Sequence, residues 1–162
     1  MKHALLLAAA IFAIASPVLQ AADRLQVNTE VTVDGKVVHH MTAYVANGEK
    51  IHYSRNKTHE VVTGVVAGKP HKKLEPIGFE ANITPRITSD GEVLITSSAS
   101  YVGVNSESPD TSAGSSIKIT DFWQHRLGAT RLGDLGERIS LDHLEKSSSG
   151  HTVDVAVTVT RT

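Results

Sequence analysis

The sequence contains no cysteine and few aromatic residues, and its charge is almost balanced. Without cysteine, the chain can form no disulfide, no thiol nucleophile and no cysteine-ligated zinc site. With 16 Lys and Arg residues against 17 Asp and Glu residues, it lacks the basic excess of nucleic-acid-binding domains. An aromatic content of 4% predicts a core made mainly of aliphatic side chains.

Catalytic motifs are also missing from the sequence. It contains no GxSxG, HExxH, P-loop or GxGxxG pattern. A Ser-His-Asp site could be assembled only from His125, His143, Asp142 and one of many serines. As neighbours in a strand, Asp142 and His143 would point to opposite faces and could not pair with each other. We therefore expect a protein that is not an enzyme and that uses no cofactor.

The N-terminal segment has the layout of a secretory signal peptide. Lys2 precedes an apolar run over residues 4–15, and Pro17 separates this run from small residues that end at Ala21. The run is shorter than the roughly 20 residues that a membrane-spanning helix needs. We expect residues 1–21 to be a cleaved signal peptide and residues 22–162 to be a single exported domain in the bacterial periplasm.

Apolar residues in the rest of the chain recur with a period of two, which is typical of strands with one buried face. The clearest example is residues 152–160, where four valines share one face. The dipeptides Asp34-Gly35, Asn47-Gly48 and Asp90-Gly91 accept the positive φ angles of tight hairpin turns. The strands predicted from these signals are 25–33, 37–45, 50–55, 59–67, 77–87, 92–102, 116–124, 137–145 and 151–161.

These strands predict hairpins between sequence neighbours. Strand 25–33 should pair with 37–45, strand 77–87 with 92–102, and the last two strands with each other. Two irregular connections are expected at 103–115, which is rich in Ser, Gly, Asp and Pro, and at 126–136. The fold class predicted is all-β, as an antiparallel β-sandwich or open barrel of about 8–9 strands.

Histidine is frequent, with nine residues in the chain. His40 and His52 could meet across the turn at Asn47-Gly48, and His59 could join them. Neutral imidazoles are common metal ligands, so these three residues form a candidate metal site. The alternative interpretation is that they are separate imidazoles on the surface.

One stretch resembles the central hairpin of the bacterial secretins. Residues 77–95 (IGFEANITPRITSDGEVLI) contain a Gly, an alternating strand, a Pro, an Asp-Gly turn and a second alternating strand. Residues 126–139 resemble the Arg…Thr…Gly-Glu run that follows in that family, and residues 153–160 resemble its last barrel strand. The resemblance covers about residues 76–162, and the repeated ring-building domains of the much longer secretins are missing.

The resemblance implies a role at or near the outer membrane, in pilus biogenesis or protein secretion. We therefore expect a non-enzymatic envelope protein that associates with itself or with an envelope assembly protein. Strand 151–161 is the expected interaction edge, because a free edge can accept another strand. The residues assigned to that edge are Val153, Val155, Val157 and Val159. The alternative function is a periplasmic module that binds a metal or small ligand through its surface histidines.

Overall fold

The computed structural model of the chain describes residues 24–67, 69–110, 117–141 and 150–162, so the expected signal peptide lies outside the described residues. The described residues form eight strands in two four-stranded antiparallel sheets, which confirms the predicted fold class. They include no helix long and apolar enough to cross a bilayer. The strands are β1 (Arg24–Val33), β2 (Lys36–Ala46), β3 (Ile51–Val66), β4 (Lys69–Ile87), β5 (Val93–Asp110), β6 (Ile117–Gly133), β7 (Arg138–Ser140) and β8 (Val153–Arg161).

The first sheet has the strand order β2-β1-β8-β7. The predicted hairpin between β1 and β2 is confirmed, and its two turn residues, Asp34 and Gly35, have φ angles of 50° and 76°. Positive φ at both positions defines the tight turn that matches the twist of the flanking strands, and Asp and Gly tolerate this conformation. On its other side β1 pairs with β8, from Leu25 opposite Arg161 to Val33 opposite Val153.

The second sheet has the order β3-β4-β5-β6 and consists of two long hairpins. The predicted hairpin across Asp90-Gly91 is confirmed, but the pairing of β4 with β5 covers only Gly78–Ile87 and Val93–Val102. The pairing of β3 with β4 and of β5 with β6 continues beyond this region. Each hairpin therefore projects as an arm. The first arm comprises residues 57–67 and 69–77, and the second comprises residues 103–110 and 117–124.

Some predicted strand boundaries are wrong, both in the arms and in the second half of β6. Predicted strands 50–55 and 59–67 form the single strand β3, and the expected connection at 126–136 is strand up to Gly133. The expected loop at 103–115 is strand up to Asp110, and its residues 111–115 lie outside the described residues. In an arm, the partner strand supplies the backbone hydrogen bonds, so small polar residues of low strand propensity are accommodated. The last predicted hairpin is present, although β7 is only three residues long.

The core lies between the two sheets and is mainly aliphatic, as predicted. Alternate residues of β1 and β8 face alternate residues of β4 and β5, with Phe79 fully buried at the centre. Trp123 and Tyr53 are also buried, whereas Tyr44 is 57% exposed. The outward positions of the second sheet carry mostly Ser, Thr and Asn, so one of its faces is packed and the other is polar.

Candidate functional site

A stack of three rings joins the two sheets at one end of the sandwich. Tyr101 on β5 stacks on Trp123 on β6, with ring centroids 5.2 Å apart. Trp123 also stacks on His151, which precedes β8, with ring centroids 4.5 Å apart. Because His151 belongs to the first sheet's side and Trp123 to the second sheet, the stack ties the sheets together where the arms begin.

Asp34, in the β1–β2 turn, fixes the His151 ring. His151 Nδ1 lies 2.8 Å from Asp34 Oδ2, and the backbone N–H of Thr152 donates to Asp34 Oδ1 at 2.9 Å. The pKa of Asp34 is lowered from its ordinary value of 3.8, first by the Thr152 backbone hydrogen bond and then by His151. The carboxylate is therefore ionised near neutral pH and accepts both hydrogen bonds.

The second arm contacts the other side of the same imidazole. His151 Nε2 lies 3.4 Å from Asn105 Oδ1, and Asn105 Nδ2 donates to Asp121 Oδ2 at 2.7 Å. The ring therefore contacts a turn of the first sheet through one nitrogen and the second arm through the other. These polar groups contact one another, so they are suited to fixing the β1–β2 turn, the start of β8 and the second arm relative to each other.

Gly103 makes the close packing of Trp123 possible. The two residues are register partners on β5 and β6, and the indole lies across the glycine. A Cβ at position 103 would overlap three atoms of that ring. A glycine within a strand often marks a close approach of this kind. The position of the Trp123 ring therefore depends on glycine at position 103.

A cleft of about 650 Å³ opens beside the ring stack, between the edge of β2 and the inner side of the arms. Its polar lining includes His39, Arg55, Lys57, His59 and Glu107. Burial, assisted by the charge of Arg55, lowers the pKa of His39. The cleft therefore has a largely basic wall with one carboxylate.

That carboxylate is part of the contact between the two arms. His59 Nε2, on the first arm, lies 3.0 Å from Glu107 Oε1 on the second arm. The His59 ring also meets Phe122 edge-on at 5.9 Å, and Lys118 Nζ lies 3.3 Å from Glu107 Oε2. We call the set His59, Glu107 and Phe122 the inter-arm contact.

The structure does not bring the three predicted metal ligands together. His40 is exposed on the outer face of the first sheet, opposite Glu30. His52 contacts Asn82 at 3.2 Å, and His59 lies on the same strand in the inter-arm contact. Seven residues along a strand place two side chains on opposite faces and roughly 23 Å apart. In the described ranges, no group of three or more His, Asp or Glu residues is placed to hold a metal ion.

The four valines assigned to an interaction edge lie in the core instead. Val153, Val155, Val157 and Val159 are at most 2% exposed. Their strand, β8, lies between β1 and β7, so it is an interior strand where β7 pairs with it. The alternation of the valines correctly indicated one buried face, but the strand order that determines an edge is not encoded in that alternation.

The ring stack and the inter-arm contact were not anticipated from the sequence. Their residues are distributed from Asp34 to His151, and no spacing rule connects them. Asp34 was recognised only as a turn residue, and Gly103 only as part of a loop. Their roles depend on how the two sheets meet, which is a tertiary property.

Comparison with known proteins gives similarity only at the level of solved structures. No protein-family profile and no curated protein matches the chain. It is similar to the secretin InvG of the Salmonella type III secretion injectisome, with 7% identity, a TM-score of 0.48, and coverage of 86% of this chain and 62% of that one. The type IV competence pilus secretin PilQ of V. cholerae gives 10% identity, a TM-score of 0.45, and coverage of 86% and 57%.

A third similar structure is the type II secretin GspD of enteropathogenic Escherichia coli, with 11% identity, a TM-score of 0.42, and coverage of 85% and 65%. The chain thus spans less than two thirds of each of these secretin chains. The sequence resemblance and the solved structures name the same family of proteins.

Proposed function

We propose that this chain is a non-enzymatic exported envelope protein whose β-domain assembles with copies of itself, in pilus biogenesis or protein secretion. The observation that carries the proposal is the pair of edges of the second sheet. Edge strands β3 and β6 are 16 and 17 residues long, and neither has a partner strand on its outer side in the described part of the chain.

Long unpaired edges favour association because they present rows of backbone N–H and C=O groups to another strand. Proteins that stay monomeric commonly shorten or cover such edges. The first sheet does so at one side, where β7 has only three residues. Since neighbouring strands of the second sheet alternate in direction, β6 of one copy can accept β3 of the next as an antiparallel partner.

The link to secretion or pilus biogenesis is supported by the residues of the secretin-like hairpin, 77–95, which form the second half of β4, the Asp90-Gly91 turn and the start of β5. Export is supported by the signal-peptide pattern of residues 1–21. A role in assembly is also supported by the use of the polar groups near His151, which hold the sheets and an arm together.

Sedimentation velocity on the exported, processed protein tests the proposal. We expect an oligomer of defined size that dissociates on dilution. Thr130→Lys places a charge on edge strand β6 and should weaken association, because lysine on an edge opposes strand addition. Thr42→Lys, on edge strand β2 of the first sheet, is the matched control and should leave the oligomer intact. A monomer at all concentrations would contradict the proposal, and so would an oligomer lost only with Thr42→Lys.

A further inference from the structure

The two arms are separate hairpins that no strand pairing joins within the described residues. The pairing of β4 with β5 ends at Gly78 opposite Val102, and each arm continues beyond that point with only its own internal pairing. An arm can therefore change its position relative to the other without breaking a strand ladder.

The side-chain contact between the arms is also limited. The inter-arm contact of His59, Glu107 and Phe122 is flanked on one side by the 650 Å³ cleft. On the other side lies a second cleft of about 590 Å³, whose walls include Val61, Val62 and Pro76 from the first arm and Thr120 and Phe122 from the second. The open space of the two clefts leaves part of each arm without packing against the other.

The arms carry opposite charge. The first arm has four lysines against two glutamates, and the second has three acidic residues against one lysine. Opposite charges favour contact between a first arm and a second arm, whereas two first arms or two second arms would repel each other. This pattern selects a head-to-tail arrangement whether the two arms belong to one chain or to two.

Gly78 lies at the base of the first arm and sets its direction. Its φ angle is +127°, and a Cβ there would overlap the backbone carbonyl oxygen of Arg55 on β3. Glycine is the residue that accepts such a conformation, and it permits a wider range of neighbouring backbone angles than other residues do. The first arm therefore starts next to a position whose backbone conformation and close contact with β3 require glycine.

We propose that the arms exchange between copies in the assembly, so that the first arm of one copy packs on the second arm of the next. This inference rests on the self-association proposed above and specifies the surface that it uses. The exchanged arms would form the same contact of His59 with Glu107 and Phe122 that is present within one chain. A contact between two different surfaces is head-to-tail, so successive exchanges build a ring or a filament.

Because the chain has no cysteine, single cysteines can report arm exchange without background. Val62→Cys and Thr120→Cys place thiols on opposite walls of the second cleft. We expect a short bismaleimide to link two chains when the two variants are co-expressed with different tags. Neither variant alone should give this product, because Val62 of one copy would face Thr120 of another.

The double variant Val62→Cys/Thr120→Cys separates this inference from the proposed function. If sedimentation shows an oligomer but the co-expressed variants do not link, and the double variant links within one chain, exchange is wrong and edge pairing stands. If the protein is monomeric, both proposals fail.

Glu107→Lys should also weaken the association of the oligomer by about tenfold or more, because it would place a positive charge against the basic first arm of the next copy. The control is Glu80→Lys, at an exposed position on β4 where this strand pairs with β5, and it should not weaken the oligomer. Equal effects of the two variants on association would contradict the exchange.

Discussion

His151 and Trp123 stack with their ring centroids 4.5 Å apart and their planes 20° from parallel. Trp123 belongs to β6 of the second sheet, and His151 lies just before β8 of the first. The remaining contacts between the sheets are mostly aliphatic, so this stack is a local, oriented connection at the end where the arms begin. Trp123 is the single tryptophan of the chain, so tryptophan fluorescence reports directly on this contact.

His151→Ala should reduce the free energy of unfolding by about 1 kcal/mol, because an aromatic pair of this geometry contributes roughly that amount. The fluorescence maximum of Trp123 should shift to longer wavelength as water reaches the exposed ring face. The control is His40→Ala, on the outer face of the first sheet, which should change neither quantity. Equal stability of the two variants in urea denaturation would contradict the role of the stack.

The ionised Asp34 should make stability depend on pH in the acid range. Its pKa in the folded protein is below 3.8, so its contribution is present above pH 3.8 and is lost as the pH falls through the folded pKa. Asp34→Asn tolerates the φ of 50° and keeps an acceptor for the Thr152 N–H, but removes this titration. The stability difference between wild type and variant should therefore shrink below pH 3.8. A constant difference from neutral pH to the acid limit would contradict this assignment.

Gly103→Ala should destabilise the protein by about 1–3 kcal/mol, because the new methyl group overlaps the indole and must displace it. The near-ultraviolet circular dichroism of Trp123 should change with it. Gly128→Ala, also in the β5–β6 hairpin, is the matched control, since nothing lies within 4 Å of its added Cβ. That variant should be at least as stable as wild type, because alanine restricts the unfolded chain. Similar losses in the two variants would show that the indole is not the cause.

Val157→Ala should cost about 2 kcal/mol, because it removes fully buried methyl groups and leaves a cavity. Val37→Ala, at a 58% exposed position on β2, should cost less than about 0.5 kcal/mol. Thermal and urea denaturation measure both. If Val157→Ala disturbed assembly while leaving the stability of the monomer unchanged, the valines of β8 would be an interface after all.

Zinc at saturating concentration should leave the melting temperature unchanged, because His40, His52 and His59 lie far apart. A metal that bound the folded state would raise the melting temperature by mass action. A rise that is abolished by His52→Ala would contradict the placement of these residues and would support the metal-binding alternative.

The fold class and two hairpins could be predicted because their signals are local. The alternation of apolar residues in β1 and β8 follows from one buried face, and the Asp34-Gly35 and Asp90-Gly91 turns follow from the φ angles these residues tolerate. The order of the strands could not be predicted in this way. Nothing in residues 152–160 indicates that β8 has a neighbour on both sides, because alternation reports a face and not an edge.

The arms and the site were missed for a related reason. Residues 103–110 contain Gly, Asn, Ser and Pro, whose individual preferences are against strand, yet pairing with β6 keeps them extended. Tyr101, Trp123 and His151 come from three separate segments, so only the packing of the sheets brings them into one stack. The secretin resemblance was based on residues 77–95, 126–139 and 153–160, and it carried no information about how the arms meet.

The pairing of β1 with β8 has a consequence for the order in which the molecule is made. As the chain leaves the ribosome, β1 gains one neighbour, β2, at once, but its other neighbour, β8, is made only after nearly all the remaining residues. Until then its backbone groups on that side are open to solvent or to a wrong partner, and contacts this distant in sequence form slowly. The first sheet therefore stays incomplete until the last strand of the described chain has been made, and a nascent chain that stops before β8 should expose the apolar face of β1.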